Sequence, residues 1–500
     1  MDAHEFHLFN DNEERLFETD FLTPDSTSKA AFQRLVKEAA DIVCEALPKN
    51  SFSGKTPAEL RDLISKDFLP AAGKSSDVIA ATLKSIISNS IFIGHPNTIA
   101  HLHCPPLLAA LAAEVVISAL NQSMDSFDQA PVATILEQQL VQWLCREVGF
   151  PSSADGTFTT GGSQSNYMGL LLARDACVNK HWNWSVRESG LPPKARLARI
   201  FCSEVAHFTI EKSAAQLGLG TEAVVRIEVD EQFRMKPSAL SKSLHNALAE
   251  GLRPLAVVAT AGTTDFGSID PLNEIATIAL EYGAWLHVDA AYGGALLFSP
   301  HYRNKLIGME SADSLSIDFH KLFWQPIPCG AFLLRDARHF DAIKLHADYL
   351  NPELHEEEGI PNLVTTSLLT SRRFDALKLW LSFQYLGCEK LAAMIDRTIA
   401  LATHAAAVIR KQDRLKIVAE PQLSTVVFRY LPSAPQNSNS LNMRLRQILL
   451  NEGVAVVGHT RVRNMQCLKF TCMNPATSDE QIETLIGIIV ERGKCLESGN

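Results

Sequence analysis

The sequence predicts an α/β protein with a mostly parallel sheet covered by helices on both faces. Three observations predict it. Beyond Phe150, short apolar runs alternate with segments of helical periodicity, the pattern of strand–helix–strand units. The runs are apolar throughout rather than alternating, as strands buried on two faces are. The flanking segments keep a different rhythm, so the α/β part is bracketed by other structure.

Residues 1–90 read as helical. In 30–47 the apolar residues recur at helical spacing, and Leu47-Pro48 stops them. A second helix opens at Thr56-Pro57-Ala58-Glu59, where proline suits a first turn. Residues 106–120 and 135–147 form strongly apolar helices. Strand-like runs follow at 199–202, 223–229, 254–260, 284–288, 314–317 and 331–334. Helices stand between them at 165–179, 209–217 and 272–282. From Asn351 the chain turns helical again. It closes with strand-like 414–419, 424–430 and 466–471 around a helix at 440–451, and 432–440 is the most loop-like stretch. The expected organisation is a helical arm over 1–105, a large α/β domain over 106–380 and a small α+β domain over 381–500.

Composition narrows the class. A net charge of −10 supplies no basic footprint for nucleic acid. No window of ~18 uninterrupted apolar residues exists, so no membrane association is expected. Residues 1–14 are acidic and lack the basic-then-apolar pattern of a secretory signal. Ten cysteines without a CxxC pair read as reduced, mostly buried thiols, which places the protein in the cytoplasm.

Three constellations carry chemistry. Thr159-Thr160-Gly161-Gly162-Ser163-Gln164-Ser165-Asn166 follows a strand-like piece and opens an apolar helix. Two glycines allow close backbone approach, the first helical N–H groups can meet an anion, and Ser163 and Ser165 add hydroxyls. That is a phosphate cradle, although a glycine-rich turn with a serine cap has the same letters. The spacing is neither GxGxxG nor GxxxxGK[ST], which disfavours dinucleotides and nucleoside triphosphates. His287-Val288-Asp289-Ala290-Ala291-Tyr292-Gly293-Gly294 puts Asp289 at the C-terminal end of a strand, where α/β sheets place ligands. Small Ala290 and Ala291 leave room for a flat ligand; an aspartate capping the next turn is the alternative. In Ser314-Leu315-Ser316-Ile317-Asp318-Phe319-His320-Lys321, the lysine sits just past an apolar strand, partly desolvated and therefore nucleophilic, unless it is a surface lysine. A cradle, a strand-end acid and a strand-end lysine together are what pyridoxal 5'-phosphate needs. The cradle holds the phosphate, the acid keeps the pyridine nitrogen protonated, and the lysine forms the Schiff base.

The order TTGGSQSN, AHFTIEKSA, ATAGTTDFGSID, HVDAAYGG and DFHK resembles the pyridoxal-phosphate group II decarboxylases over residues 85–490. HPNTIAHLHCPP, NQSMDSFDQAP, DYLNPELHEEEGIPN and SRRFDALKLW are similar to the branch that acts on cationic diamino acids. The resemblance implies a fold-type I enzyme working as a homodimer, with the active site at the subunit interface and an N-terminal arm wrapping the partner. It implies α-decarboxylation of an amino acid, first diaminobutyrate giving 1,3-diaminopropane, in siderophore or polyamine synthesis; lysine giving cadaverine or ornithine giving putrescine is the alternative, ahead of a glutamate or aromatic amino acid decarboxylase, an aminotransferase or a non-catalytic cofactor-binding scaffold. By motif, Lys321 is implied as the Schiff-base lysine and Asp289 as the partner of the pyridine nitrogen. His207 would stack on the ring, with Ala291 on the opposite face; Gly162, Ser163 and His320 would hold the phosphate. Thr264 and Asp270 would lie beside the cofactor, and Tyr349 would return a proton to the substrate's α-carbon. Many family members have Asn-Pro-His-Lys where this chain has Asp318-Phe319-His320-Lys321, which puts a carboxylate near the phosphate.

No metal is expected. His101 and His103 alternate as one face of an extended segment, without a second ligand cluster. The run Glu356-Glu357-Glu358 reads as a solvated charge run, with attraction of a substrate's ammonium as the alternative.

Overall fold

The computed structural model describes residues 19–65, 68–434 and 437–498. The acidic stretch 1–14 lies outside the described residues, as do positions 435–436 of the loop-like stretch. The chain divides into two compact units. One holds the residues up to 98 together with 448–456, the other 99–447 with the residues from 457 onward.

The first unit carries the helices Ser26–Ala46, Pro57–Ser65 and Ser76–Ser88. Asp25 caps the first by accepting the Thr27 N–H at 2.7 Å. Thr56 and Glu59 form a reciprocal box at the second, Thr56 N donating to Glu59 Oε2 at 2.8 Å and Glu59 N to Thr56 Oγ1 at 3.3 Å. Proline at the first helical position costs no hydrogen bond there.

The second unit is built on a seven-stranded mixed sheet: β1 (Asp155–Thr159), β2 (Ala198–Ser203), β3 (Val224–Ile227), β4 (Arg253–Thr260), β5 (Trp285–Asp289), β6 (Ser314–Asp318) and β7 (Gly330–Leu334). Their spatial order is β1-β7-β6-β5-β4-β2-β3. Strands β3, β2, β4, β5 and β6 pair in parallel, while β7 runs antiparallel between β6 and β1. The reversal leaves no trace in the letters, because a strand buried at every position reads alike in either direction.

Alternate residues of the sheet feed two cores. Phe201, Val257, Ala259, Leu286, Val288, Leu315 and Ile317 face one layer with the helices Pro131–Val148, Pro237–Ala249 and Leu272–Glu281. Ile200, Cys202, Ala256, Val258, Trp285, Phe332 and Leu334 face the other, packed on Met168, Leu172 and Ala173 of the Gly162–Trp182 helix and Ile210 of the Thr209–Gln216 helix. This second face also bears the site.

The same unit contains an antiparallel sheet ordered β10-β11-β9-β8, from β8 (Leu415–Ala419), β9 (Thr425–Tyr430), β10 (Gly458–Val462) and β11 (Met465–Thr471). β10 escapes the sequence reading because His459 and Arg461 alternate outward and leave no apolar run. Helix Ala376–Arg410 is long and apolar enough to cross a membrane, but half of its apolar window is buried inside the fold. Gly387, at φ 71°, breaks it into two, a conformation glycine adopts without steric cost.

One buried ion pair anchors β1. Glu137 takes Arg372 bidentately, at 2.8 and 3.1 Å, and also accepts the Phe158 N–H at 3.1 Å. Its side chain is 1% exposed and that of Arg372 6%. Glu137→Ala strands a buried guanidinium, so unfolding in urea is expected to show a loss of about 3–5 kcal/mol. A loss below about 1 kcal/mol contradicts this account.

Candidate active site

A cavity of about 250 Å³ opens at the C-terminal ends of β1, β4, β5 and β6. Gly162, Ser163, His207, Thr264, Asp289, Ala291, His320 and Lys321 all line it. Five separate segments therefore converge where the sequence predicted one site.

The glycine loop follows β1. Gly161 takes φ +137° and ψ −177°, a region open essentially to glycine. A Cβ on it would fall 2.7 Å from His320 Cε1, and one on Gly162 would fall 3.1 Å from the Ala291 Cβ. The Gly162–Trp182 helix starts here; Gln164 and Ser165 donate to the Gly161 carbonyl, which leaves the N–H groups of the cavity-lining Gly162 and Ser163 ahead of the first helical acceptor. Ser165 corrects the sequence reading. Its hydroxyl is buried, 2.8 Å from Thr159 Oγ1 and 3.2 Å from the Ala331 carbonyl, so it ties helix to sheet instead of offering itself to an anion.

Asp289 ends β5. Its Oδ2 accepts the Asn166 side-chain N–H at 2.8 Å, and its Oδ1 accepts from Ser316 Oγ and the Ala291 N–H, each at 3.2 Å. Burial opposes ionisation, but Lys321, the Asn166 hydrogen bond, His207 and His287 together hold the carboxyl below the usual carboxylate range. Behind it, His287 Nε2 stands 3.0 Å from Asn166 Oδ1 and His287 Nδ1 stands 2.9 Å from Ser314 Oγ. Ser314 Oγ also accepts the Trp285 indole N–H at 2.9 Å.

Lys321 and His320 follow β6. Lys321 Nζ lies 3.1 Å from Asp318 Oδ2, and His320 Nε2 lies 3.5 Å from the same oxygen. Asp318 Oδ1 is buried with no hydrogen-bond partner. His320 is fixed through Nδ1, 2.7 Å from the Cys329 carbonyl. Thr264 is held from β11, where Lys469 donates to its carbonyl at 3.2 Å and to Asp265 Oδ1 at 2.9 Å.

Two expected residues do not line the cavity. Asp270 lies behind it, its oxygens accepting the Met235 and Thr260 N–H groups at 2.7 and 2.8 Å, so it fixes the end of β4. Tyr349 is 89% exposed, on a turn closed by Asn351 hydrogen bonds to Leu345 and Ala347. His101 and His103 also lie outside the lining. Glu356 is engaged by Lys344 and His346.

Sequence reasoning missed Asn166, Thr209, His287, Ser314 and Ser316. The signal was present as polar residues at period two, His287 and Asp289 on β5 and Ser314, Ser316 and Asp318 on β6. The register pairs His287 with Ser314 and Asp289 with Ser316.

Burial pushes His287 down to about 4. Between that value and 6.5 the folded state binds fewer protons than the unfolded chain. His287's contribution to stability is therefore full above pH 6.5 and is lost as the pH falls toward 4, by about 3 kcal/mol at ~1.36 kcal/mol per pH unit. Asp270 acts oppositely, burial pushing its carboxyl up to about 6, so its contribution falls as the pH rises through that value. Comparing wild type with His287→Gln in urea at pH 4 and 7 isolates the histidine. Wild type is expected to lose more stability on acidification by about 3 kcal/mol; equal losses would refute the assignment.

The pyridoxal-dependent decarboxylase conserved domain matches residues 57–431. The chain belongs to the pyridoxal-dependent decarboxylases. Among its relatives in this family, an L-2,4-diaminobutyrate decarboxylase of Acinetobacter baumannii is 40% identical over 96% of this chain and 97% of its own length. One from Rhizobium meliloti (strain 1021) is 41% identical over 95% of this chain and 94% of its own length. The glutamate decarboxylase domain of a diaminobutyrate-pyruvate transaminase and L-2,4-diaminobutyrate decarboxylase from Vibrio parahaemolyticus superposes with a TM-score of 0.89. It is 40% identical and covers 97% of this chain and 100% of that one.

As a pyridoxal-dependent decarboxylase the protein uses pyridoxal phosphate on an amino acid substrate, and the residues present fit the cofactor. The glycine cradle is one that a Cβ would fill, an ionised carboxylate ends β5, and Lys321 is the one lysine among the residues lining the cavity.

Proposed function

We propose that this enzyme removes the α-carboxylate of L-2,4-diaminobutyrate, giving 1,3-diaminopropane and CO2. The observation that carries the reading is the convergence of Lys321, Asp289 and the glycine cradle in one cavity. The choice of substrate is supported by the names of the relatives at 40 and 41% identity.

Pyridoxal phosphate, when bound, supplies an electron sink for the pair left behind by CO2. Lys321, the lysine in the cavity lining, would hold the cofactor through its Nζ. Asp289 keeps a proton on the pyridine nitrogen, and Asn166, Ser316 and the Ala291 N–H keep Asp289 ionised and oriented. Gly162, Ser163 and His320 would hold the phosphate, the first two with N–H groups at the helix start. His207, Ala291 and Thr264, which line the same cavity, would contact the cofactor ring. Asp270 supports β4 from behind. Tyr349 returns the proton to the α-carbon after the exposed segment that carries it closes. Tyr349→Phe is expected to lower kcat by about a hundredfold while binding of pyridoxal phosphate stays unchanged, and unchanged kcat would remove it from the mechanism.

The working state is proposed as a cytoplasmic homodimer. Leu108 and Leu120 on one helix and Val132 on the next stay exposed at 83, 57 and 78%. All ten cysteines are free thiols, which suits a reducing compartment. Sedimentation showing a monomer at working concentration would refute the dimer.

The deciding experiment measures CO2 release and amine identity with diaminobutyrate, ornithine, lysine, glutamate and tyrosine. Preference for diaminobutyrate is expected. Preference for lysine would move the enzyme to cadaverine production, and activity confined to glutamate or tyrosine would overturn the diamino acid reading.

A further inference from the structure

We propose that Asn166 and Thr209 are positioning residues that fix the tautomer of His207, so that its ring carries the proton on Nε2. Counting donors outward from Asp289 determines each proton in turn. An ionised carboxylate only accepts, so the Asn166 atom 2.8 Å from Asp289 Oδ2 is the amide nitrogen. The other Asn166 atom is then the carbonyl oxygen, and it faces His287 Nε2 at 3.0 Å, which donates to it, while the single Ser316 hydroxyl proton is shared between this oxygen at 3.0 Å and Asp289 Oδ1 at 3.2 Å. His287 Nδ1 accepts in turn from Ser314 Oγ, whose own lone pair takes the Trp285 N–H. The amide orientation of Asn166 is thereby determined from both ends.

The second Asn166 N–H points at Thr209 Oγ1, 3.1 Å away. Thr209 accepts it, and among the described contacts the acceptor left for the Thr209 proton is His207 Nδ1 at 2.8 Å. A neutral imidazole that accepts at Nδ1 must carry its proton on Nε2. Burial favours that neutral form. Asp289, through two intervening side chains, therefore dictates which edge of a cavity-lining ring is a donor. Thr209 is buried at the start of its helix, and the polar hydroxyl has no other evident use there.

The consequence rests on the decarboxylase reading. An N–H at Nε2 offers a hydrogen bond to an anionic group of the substrate, where a lone pair would repel it. The tautomer itself stands independently of any turnover.

The test is nitrogen NMR of cofactor-free protein labelled with 15N-histidine, the His207 signals identified by their loss in His207→Asn. Wild type and Thr209→Ser are expected to show a protonated Nε2 and an unprotonated Nδ1. Thr209→Val is expected to show both tautomers, with kcat/KM for the preferred amino acid lowered about tenfold. A protonated Nδ1 in wild type, or the Nε2 form retained undiminished in Thr209→Val, overturns the inference. The expected tautomer in a protein that releases no CO2 from any amino acid would leave the inference standing and sink the decarboxylase reading instead.

Discussion

Lys321→Ala is expected to release CO2 at least about a thousandfold more slowly than wild type, equivalent to ~4 kcal/mol of transition-state stabilisation. No other lysine lines the cavity, and Lys469, the amine that holds the Thr264 loop, is already bonded to Asp265. The substitution has a second effect that must be separated from the first. Asp318 is 4% exposed, its Oδ1 is unpartnered, and its Oδ2 depends on Lys321 at 3.1 Å. Removing the ammonium leaves a buried carboxylate whose remaining ion-pair contact among the described residues is His320 at 3.5 Å, a loss of about 3–5 kcal/mol in stability. Lys321→Ala/Asp318→Asn removes the orphaned charge as well. It is expected to recover most of the lost stability, measured in urea, and none of the turnover, measured as CO2 release with saturating pyridoxal phosphate. Turnover within tenfold of wild type in either variant contradicts the role of Lys321.

The same residue shows what the sequence could and could not tell. The motif put a carboxylate near the expected phosphate, and the letters alone suggested repulsion. In the structure Asp318 points at Lys321, so its charge is matched before any anion arrives. Pairing of this kind depends on side-chain direction past a strand end, which spacing does not encode. Residues fixed by backbone demands were readable: Gly161 and Gly162 because His320 and Ala291 leave no room for a Cβ, Asp289 and Lys321 because strand ends are where such sheets bind ligands. Residues that act through a neighbour were not. Asn166 stands inside the quoted motif yet gained a function only when the helix laid it between Asp289 and Thr209. Asp270 and Tyr349 stand outside the cavity lining. Both sit in motif-bearing stretches, but Asp270 spends its oxygens on two backbone N–H groups and Tyr349 faces solvent.

Asp289→Asn carries the second large effect, and the hydrogen bonds say why it is not a mild change. Asp289 Oδ2 accepts from Asn166 and Oδ1 from the Ala291 N–H. A side-chain amide has one acceptor where the carboxylate has two. With its nitrogen at the Oδ2 position it sets N–H against the Asn166 N–H; with its nitrogen at the Oδ1 position it sets N–H against Ala291. Either way one buried donor loses its partner, at a cost of about 1–3 kcal/mol. The lost charge matters more, because a neutral amide cannot hold a proton on a pyridine nitrogen, and that proton makes the ring an electron acceptor. We expect kcat to fall about a thousandfold at saturating pyridoxal phosphate, with a weaker effect on KM, since the interaction serves charge that develops as CO2 leaves. The amide clash alone predicts a different pattern: lowered stability and cofactor affinity with kcat nearly intact once the protein is saturated. A kcat within tenfold of wild type would therefore assign Asp289 to structure and remove it from the chemistry.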